Sequence, residues 1–213
     1  MKFCGMTRSE DAVEAAMLGA TFVGAIFAGG PRNIDAAQAA RCFEGVPRGV
    51  RRVGVFATQS ADAIAGIAEA AGLDVAQLHG DPDGEHVERV RNRTGLMVWG
   101  VARIDGTRLP AHLAELVETA DAVVLDARVE GVLGGTGRTL RWSGLSDALA
   151  PMRGRARIVL AGGLTPENVG RAIDALRPDV VDVSSGVESA PGIKDHARMR
   201  AFSAAVRHAG ANR

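Results

Sequence analysis

The stretch RIVLAGGLTPENVGRAIDALRPDVVDVSSG, residues 157–186, decides the fold. It begins with a short apolar run, turns at two glycines, and continues with helically spaced apolar residues before a second apolar run, DVVDVS. Thr165 followed by Pro166 is typical of a helix start, with threonine as the N-cap and proline at the first helical position. The stretch is therefore predicted to form a strand, a helix and a second strand in succession.

The same alternation runs through the whole chain. Short apolar, β-branched runs occur eight times, as KFC, TFVGAIF, RRVGVF, DVAQL, MVWGV, DAVVLD, RIVLA and DVVDVS. Helically spaced segments such as SADAIAGIAEAAG separate them, and Thr7 with Glu10 fits a capping box at the first one. This pattern predicts an α/β protein, a (β/α)8 TIM barrel formed as a single domain by residues 1–213. An open doubly wound sheet is the alternative, but it usually has about five or six strands and a glycine-rich first turn, which CGMT does not supply.

Composition excludes several classes of partner. Lysine plus arginine number 25, as do aspartate plus glutamate, so the basic excess of a nucleic-acid-binding surface is missing. Apolar runs such as FVGAIFA are shorter than the roughly 20 residues that span a bilayer, and polar TRSED stands where a secretory signal would be apolar. The five histidines show no ligand spacing with one another or with the two cysteines. We expect a cytoplasmic protein without a metal site, binding neither nucleic acid nor membrane.

Polar residues occupy a single register in the predicted strands. They are Lys2, Cys4, Gln77, His79, Asp126, Asp182 and Ser184, whereas the residues of opposite parity, such as Phe3, Leu78, Leu125 and Val183, are apolar. The outer face of a barrel packs under helices, so the polar set is predicted to face the interior or the mouth. Four of its members end their strands, where barrel enzymes place their chemistry: Cys4, His79, Asp126 and Ser184.

The two cysteines are predicted to differ in role. A free cysteine is usually a small buried hydrophobe, and Cys42, on an apparent helix, fits that description. Cys4 instead ends a strand and precedes Gly5 and a predicted helix start, whose partial positive charge favours a thiolate. Cys4 is therefore the candidate reactive group.

The turns after the seventh and eighth strands are predicted to bind a phosphate. Glycines there allow backbone N–H groups to surround phosphate oxygens, and this position is a recurrent phosphate site in barrels. Tight strand-to-helix turns would also explain the glycines, but two such loops together favour a phosphorylated small-molecule substrate. The candidate donors are Gly162, Gly163, Ser184, Ser185 and Gly186.

Further site candidates each have a structural alternative. Asp126 is either an acid–base group or a helix-capping carboxylate, and its place at the rim favours acid–base work. Arg32, in GGPRN, either binds an anionic group or is a solvated loop residue, and His79 either contacts substrate or is satisfied within the barrel. Gln77 and Asp182 complete the predicted substrate-binding set. The glycine-rich segment DARVEGVLGGTGRTLRW, residues 126–142, is predicted to be a lid.

Taken in order, KFCGMT, VGVF, QLHG, the aspartate of VVLDA, GGTG, LAGGLTPENV, SSGVE and PGIKD resemble phosphoribosylanthranilate isomerase of tryptophan biosynthesis. The resemblance spans Lys2 to Asp195 and implies a cofactor-independent barrel enzyme that isomerises N-(5-phosphoribosyl)anthranilate to the deoxyribulose phosphate. It implies that Cys4 is the general base, Asp126 the general acid and Arg32 the ligand of anthranilate. The sequence departs from the family before this arginine, where Gly30 and Pro31 stand, and before Trp142, which is given no role.

Two other functions stay open at this point. The aminosugar isomerases of histidine biosynthesis resemble this chain in their twin phosphate loops, but they carry an aspartate at the end of the first strand, where Cys4 stands. A catalytically silent phosphometabolite-binding barrel would bind ligand without turnover. Both a monomer and a homodimer are compatible with the sequence.

Overall fold

A closed ring of eight parallel strands forms the centre of the molecule. The computed structural model describes residues 1–127 and 142–211, and the strands pair in chain order, with β1 also joined to β8. The predicted barrel is confirmed, and the open doubly wound sheet is excluded because an open sheet would leave two unpaired edges. The strands are β1 Lys2–Phe3, β2 Phe22–Ile26, β3 Arg51–Phe56, β4 Val75–Leu78, β5 Met97–Ile104, β6 Ala122–Ala127, β7 Arg157–Leu160 and β8 Val180–Val183.

Helices follow the strands and cover the outside of the ring. They are α1 Ser9–Met17, α2 Ala36–Cys42, α3 Ala61–Ala71, α4 Gly84–Thr94, α5 Leu113–Thr119, α6 Ser146–Leu149, α7 Val169–Leu176 and α8 His196–Ala211. Among these described helices, none has the length and apolar character needed to cross a bilayer. The predicted lid lies largely outside the described residues, its GGTG motif included.

Two helix starts differ from the prediction. Helix α1 begins at Ser9 without a side-chain cap, and the Thr7 hydroxyl instead donates to the Gly192 carbonyl at 2.5 Å. Helix α7 begins only at Val169, after a turn in which the Asn168 Oδ1 accepts from the Thr165 N–H at 2.8 Å. Both predicted caps were wrong, in the first case because a distant segment engages the Thr7 hydroxyl.

Strand parity divides the apolar residues into two clusters, of which only the outer one was predicted. One fills the barrel interior, where the rings of Phe22 and Trp99 meet edge to face with their centroids 4.7 Å apart. The other lies between strands and helices and includes Phe3, Leu78, Val123, Leu125, Val181 and Val183. The predicted polar set shares the parity of the interior cluster. These polar side chains are therefore directed into the barrel, and those at the strand ends reach its mouth.

A short antiparallel hairpin after β8 was not predicted. It consists of β9, Glu188–Ala190, and β10, Ile193–Lys194. Its turn passes through Gly192 at φ +80°, a conformation that favours glycine. The hairpin places Glu188 and Lys194 beside the end of β1, and both side chains are buried.

Candidate active site

A cavity of about 370 Å³ opens at the carboxyl ends of the strands. Nearly all of the predicted site residues line it, although they come from different strands and loops. Those that line it are Cys4, Arg32, Gln77, His79, Asp126, Gly162, Gly163, Asp182, Ser184 and Ser185. Gly186 is absent from this lining. A Cβ on Gly186 would collide with the Leu164 carbonyl, so this glycine allows the two predicted phosphate loops to touch.

Cys4 stands at the end of β1 with its sulfur on the cavity wall. The Cys4 backbone N–H donates to the Val183 carbonyl at 2.8 Å, which ties the main chain at Cys4 to the last strand. Only 6% of the residue is exposed, and burial raises the pKa of the Cys4 thiol. Helix α1 begins five positions later, at Ser9, beyond the single turn over which a helix terminus acts. The predicted help from a helix N-terminus is therefore wrong, and the positive charges that act on Cys4 are those of Lys2 and Lys194.

A buried ion pair lies below Cys4 in the barrel. The Lys2 ammonium donates to Asp182 Oδ2 at 2.6 Å and to Gln77 Oε1 at 2.9 Å. Lys2 is fully buried; burial opposes its charge, but Asp182 and Cys4 together outweigh that effect and raise the pKa of Lys2. Asp182 Oδ1 is also buried and has no hydrogen-bond partner within the described parts of the chain. It is a free acceptor on a residue that lines the cavity.

Asp126, at the mouth end of β6, is a carboxyl group that retains its proton more readily than usual. Burial raises its pKa to about 6, although the Ala127 N–H opposes this by donating to Oδ1 at 2.8 Å. Gly162, at φ +84°, allows a close approach here, because a Cβ would lie 2.8 Å from Asp126 Oδ1. A carboxyl group with such a pKa can donate a proton near neutral pH.

His79 ends β4 beside this carboxyl group, with 3.7 Å between its Nε2 and Asp126 Oδ2. Burial, reinforced by the charge of Arg103, lowers the pKa of His79 to about 4, so the ring is neutral at physiological pH. Neither ring nitrogen makes a hydrogen bond within residues 1–127 and 142–211. In the same residues, no group of three or more His, Cys, Asp or Glu side chains is arranged to hold a metal ion. His79 is thus placed to exchange a hydrogen bond with a ligand.

Arg32 belongs to a second buried network, on the other side of Cys4. Its Nε and Nη2 donate to the Glu188 carboxylate at 2.7–3.0 Å. Lys194 donates to the same carboxylate at 2.7 Å and to the Cys4 carbonyl at 2.6 Å. Burial opposes ionisation of Glu188, but the two cations outweigh it and hold the pKa of Glu188 below its usual value. The network fixes the Arg32 guanidinium at the cavity edge. Its Nη1 group is not one of the donors to Glu188.

The loops after β7 and β8 form the remaining wall. Gly162 and Gly163 both have positive φ, and the Asn168 amide holds the Gly163 carbonyl at 2.9 Å. The Ser184 hydroxyl is buried without a hydrogen-bond partner in the described residues. This wall therefore combines glycine backbone at positive φ with a hydroxyl that has no partner within the part of the chain that the structure describes, a combination that can bind an anion.

A family model for N-(5'phosphoribosyl)anthranilate (PRA) isomerase matches residues 1–205. The chain belongs to the phosphoribosylanthranilate isomerase family. A family member from Pseudomonas aeruginosa (strain LESB58) is 43% identical over 208 residues, which are 97% of this chain and 94% of that protein. The Thermus thermophilus phosphoribosyl anthranilate isomerase structure has 34% identity and a TM-score of 0.84, covering 97% of this chain and 98% of that one. Another isomerase structure, in complex with reduced 1-(o-carboxyphenylamino)-1-deoxyribulose 5-phosphate, has 33% identity, a TM-score of 0.81 and 97% coverage of both chains.

Three residues around the thiol of this phosphoribosylanthranilate isomerase family member received no predicted role. Lys2 was predicted only to face inward, and no role was predicted for Glu188 in SSGVE or for Lys194 in PGIKD. One signal for them was available in the composition. The chain contains 23 arginines but only two lysines, and both lysines are buried beside Cys4. Because lysine is so rare in this chain, the two lysines could have been singled out from the sequence as site candidates.

Proposed function

We propose that this barrel converts N-(5'-phosphoribosyl)anthranilate into 1-(2-carboxyphenylamino)-1-deoxyribulose 5-phosphate, a step of tryptophan biosynthesis. Cys4 acts as the general base and Asp126 as the general acid, and no cofactor takes part. The loops after β7 and β8 hold the phosphate, and Arg32 holds the anthranilate carboxylate. His79 and the free Oδ1 of Asp182 are available for the sugar hydroxyl groups.

The first chemical step is opening of the ribose ring. Protonated Asp126 delivers its proton to the ring oxygen as the bond from that oxygen to the anomeric carbon breaks. The lone pair of the anthranilate nitrogen forms the new C=N bond, which leaves an iminium ion and an Asp126 carboxylate. The raised pKa of Asp126 keeps a proton available for this transfer.

The second step is removal of a proton from the neighbouring sugar carbon, which the iminium group acidifies. The Cys4 thiolate takes this proton. The electron pair of the broken C–H bond forms a carbon–carbon double bond and neutralises the iminium nitrogen, which gives an enolamine. The enolamine becomes the ketone when its hydroxyl proton is lost and the former anomeric carbon is protonated. The product is an isomer of the substrate, so no oxidant or reductant is consumed.

One observation carries this proposal: a single cavity brings together a thiol, a carboxyl group with a raised pKa and an unpaired hydroxyl on an anion-type loop. The decisive experiment is a spectroscopic assay with N-(5'-phosphoribosyl)anthranilate. We expect turnover by the purified protein without added metal or cofactor. Tight binding without turnover would indicate a silent phosphometabolite-binding barrel instead.

Inorganic sulfate or phosphate is expected to bind between AGGL and VSSG. The Ser184 hydroxyl and the glycine backbone of the two loops supply donors, and the non-reacting phosphate contributes binding energy to catalysis. The measurement is electron density in crystals soaked with sulfate, with Ser184→Ala as the matched variant expected to show lower occupancy. An anion found elsewhere while both loops stay empty would contradict the assignment.

Replacing Arg32 with alanine is expected to raise KM about 10- to 100-fold, the equivalent of a charge-assisted hydrogen bond of about 1.5–3 kcal/mol. The change in kcat should be smaller, because a remote carboxylate is bound similarly in the ground state and the transition state. Steady-state kinetics measure both constants. Arg32→Lys is the control, since it keeps the charge beside Glu188 but loses the fork, and it should give an intermediate KM. An unchanged KM in Arg32→Ala would mean that this residue does not touch substrate.

The setting of the enzyme completes the proposal. Residues 1–213 act as one domain, in the cytoplasm, as a monomer or a homodimer that binds no nucleic acid. The balance of 25 basic and 25 acidic residues supports the last point. Light scattering of the purified protein distinguishes the two oligomeric states.

A further inference from the structure

We propose that Lys2 is a positioning residue that stabilises the thiolate form of Cys4 through its buried ammonium group. This inference deepens the role proposed for Cys4 as the general base, and it rests on that role. Lys2 does not touch the cavity that receives substrate, since it is fully buried and is not part of the cavity lining. It acts through Cys4.

Lys2 and Cys4 are close neighbours inside the barrel. Lys2 and Cys4 lie two residues apart on β1, so both side chains point into the barrel. They meet over Gly24 of β2: a Cβ there would lie 3.1 Å from Cys4 Sγ and 3.2 Å from Lys2 Cε. Any residue larger than glycine would press on both side chains at once. Gly24 therefore leaves a space that is bordered by both the end of the Lys2 side chain and the Cys4 sulfur.

The hydrogen bonds of the Lys2 ammonium group to Asp182 and Gln77 leave one of its hydrogens for another partner. Lys2 has three, and two of them are used by Asp182 at 2.6 Å and Gln77 at 2.9 Å. The third is available to the Cys4 sulfur, and the charges of Lys2 and Cys4 each favour the charged form of the other group: Lys2 lowers the pKa of Cys4, and Cys4 raises the pKa of Lys2. Because Lys2 has no solvent exposure, water screens its charge poorly.

The charged groups that face Cys4 come from four parts of the chain. Asp182 of β8 opposes the thiolate, whereas Lys2 of β1, Lys194 of β10 and Arg32 after β2 favour it. Lys194 and Arg32 both pair with Glu188, and Lys194 contacts the Cys4 carbonyl rather than its sulfur. Burial remains the largest effect and raises the pKa of Cys4, and Lys2 is the strongest group acting against it.

The choice of lysine fits this role. The chain uses arginine at all but two of its 25 basic positions, and Lys2 is one of the two exceptions. A compact ammonium with three hydrogens can contact Asp182, Gln77 and Cys4 in three directions. A planar guanidinium directs its donors into a fixed fork and needs more room.

The test is a titration of the Cys4 thiol by its thiolate absorbance in the ultraviolet. It is done without substrate in a Cys42→Ala background, so that Cys4 is the only thiol, and the chain contains no tyrosine to absorb in its place. We expect Lys2→Met to raise the titration midpoint by about 1 to 3 pH units, which lowers the thiolate fraction at a fixed pH by at least about tenfold. Asp182→Asn should lower the midpoint, because it removes the opposing charge. Gln77→Met is the matched control: it removes a neutral contact of the same ammonium and should leave the midpoint nearly unchanged.

The outcomes separate electrostatics from packing. A midpoint that stays in place in Lys2→Met, or moves equally in Lys2→Met and Gln77→Met, overturns the inference. Should Lys2→Met fail to fold, Asp182→Asn decides the matter, and an unmoved or raised midpoint there overturns it. Because the titration needs no turnover, a failed isomerase assay with the expected midpoints would reject the proposed function and leave the Lys2–Cys4 coupling standing.

Discussion

Cys4→Ala is expected to lower kcat by about 10² or more, with little change in KM or in the melting temperature. The substitution removes the group that we propose takes the proton from the sugar carbon. It leaves the phosphate loops and Arg32 in place, so binding should persist. The Cys4 sulfur borders a cavity, and its truncation therefore costs little packing. Steady-state kinetics and thermal unfolding of the same preparation measure these effects.

The second cysteine is the matched control. Cys42 is buried in α2, its thiol donates to the Arg8 carbonyl at 3.3 Å, and burial raises its pKa to about 12. Cys42→Ala should keep full activity and lose about 1 kcal/mol of unfolding free energy, which lowers the melting temperature by about 2–4 °C. If Cys4→Ala keeps wild-type turnover, the thiol serves only packing and the mechanism is wrong.

Asp126→Asn is expected to reduce kcat to a similar extent, about 10² or more. An amide preserves the shape of the side chain and can accept the Ala127 N–H, but it has no proton to give to the ring oxygen. KM should change little. The comparison of kcat and KM with those of the wild type is the measurement, and full activity in Asp126→Asn would remove this residue from the mechanism.

The pH dependence of kcat/KM provides an independent check, because the two groups must be in opposite protonation states. The active form carries a proton on Asp126, whose pKa is about 6, and none on Cys4, whose pKa burial raises. At low pH the rate rises with pH as the thiolate forms. Above about pH 6 this gain is offset as Asp126 loses its proton, and the rate levels off. The rate falls with pH once Cys4 is fully ionised. The two apparent pKa values of this bell-shaped profile therefore belong to Cys4 and Asp126 as a pair and not to either residue alone.

Each single variant should lose one of these opposing effects. Residual activity of Asp126→Asn should continue to rise above pH 6, because only formation of the thiolate then matters. Residual activity of Cys4→Ala should instead decline as pH rises through about 6 with the ionisation of Asp126. Identical profiles in both variants would show that the roles of acid and base are assigned incorrectly.

The fold could be predicted largely from the sequence because its main signals are local. Each strand is a short apolar run, and parity alone separated Phe3 and Val183, which pack under helices, from Lys2 and Cys4, which point inward. The prediction failed where a distant segment intervenes. Thr7 has the sequence of a capping residue, but its hydroxyl is taken by the Gly192 carbonyl of the β9–β10 turn.

The candidate site shows the same division. Strand ends and glycine loops predicted most of the residues that line the cavity, because parallel strands present their carboxyl ends at one rim. The buried network of Glu188 and Lys194 could not be predicted, since it depends on a hairpin of only five paired-strand residues, Glu188–Ala190 and Ile193–Lys194. Likewise, the sequence indicated a helix terminus as the source of positive charge at Cys4, whereas the cations are the side chains of Lys2 on the same strand, Arg32 after β2 and Lys194 of β10.

The pairing of β1 with β8 also determines when the site comes into existence. Lys2 and Asp182 are separated by 180 residues, and contacts so distant form late because a long loop must first be closed. A nascent chain that has not yet released β8 from the ribosome holds Cys4 without the ion pair below it and without the hairpin beside it. The complete set of site residues therefore comes together only when the last strand joins the first.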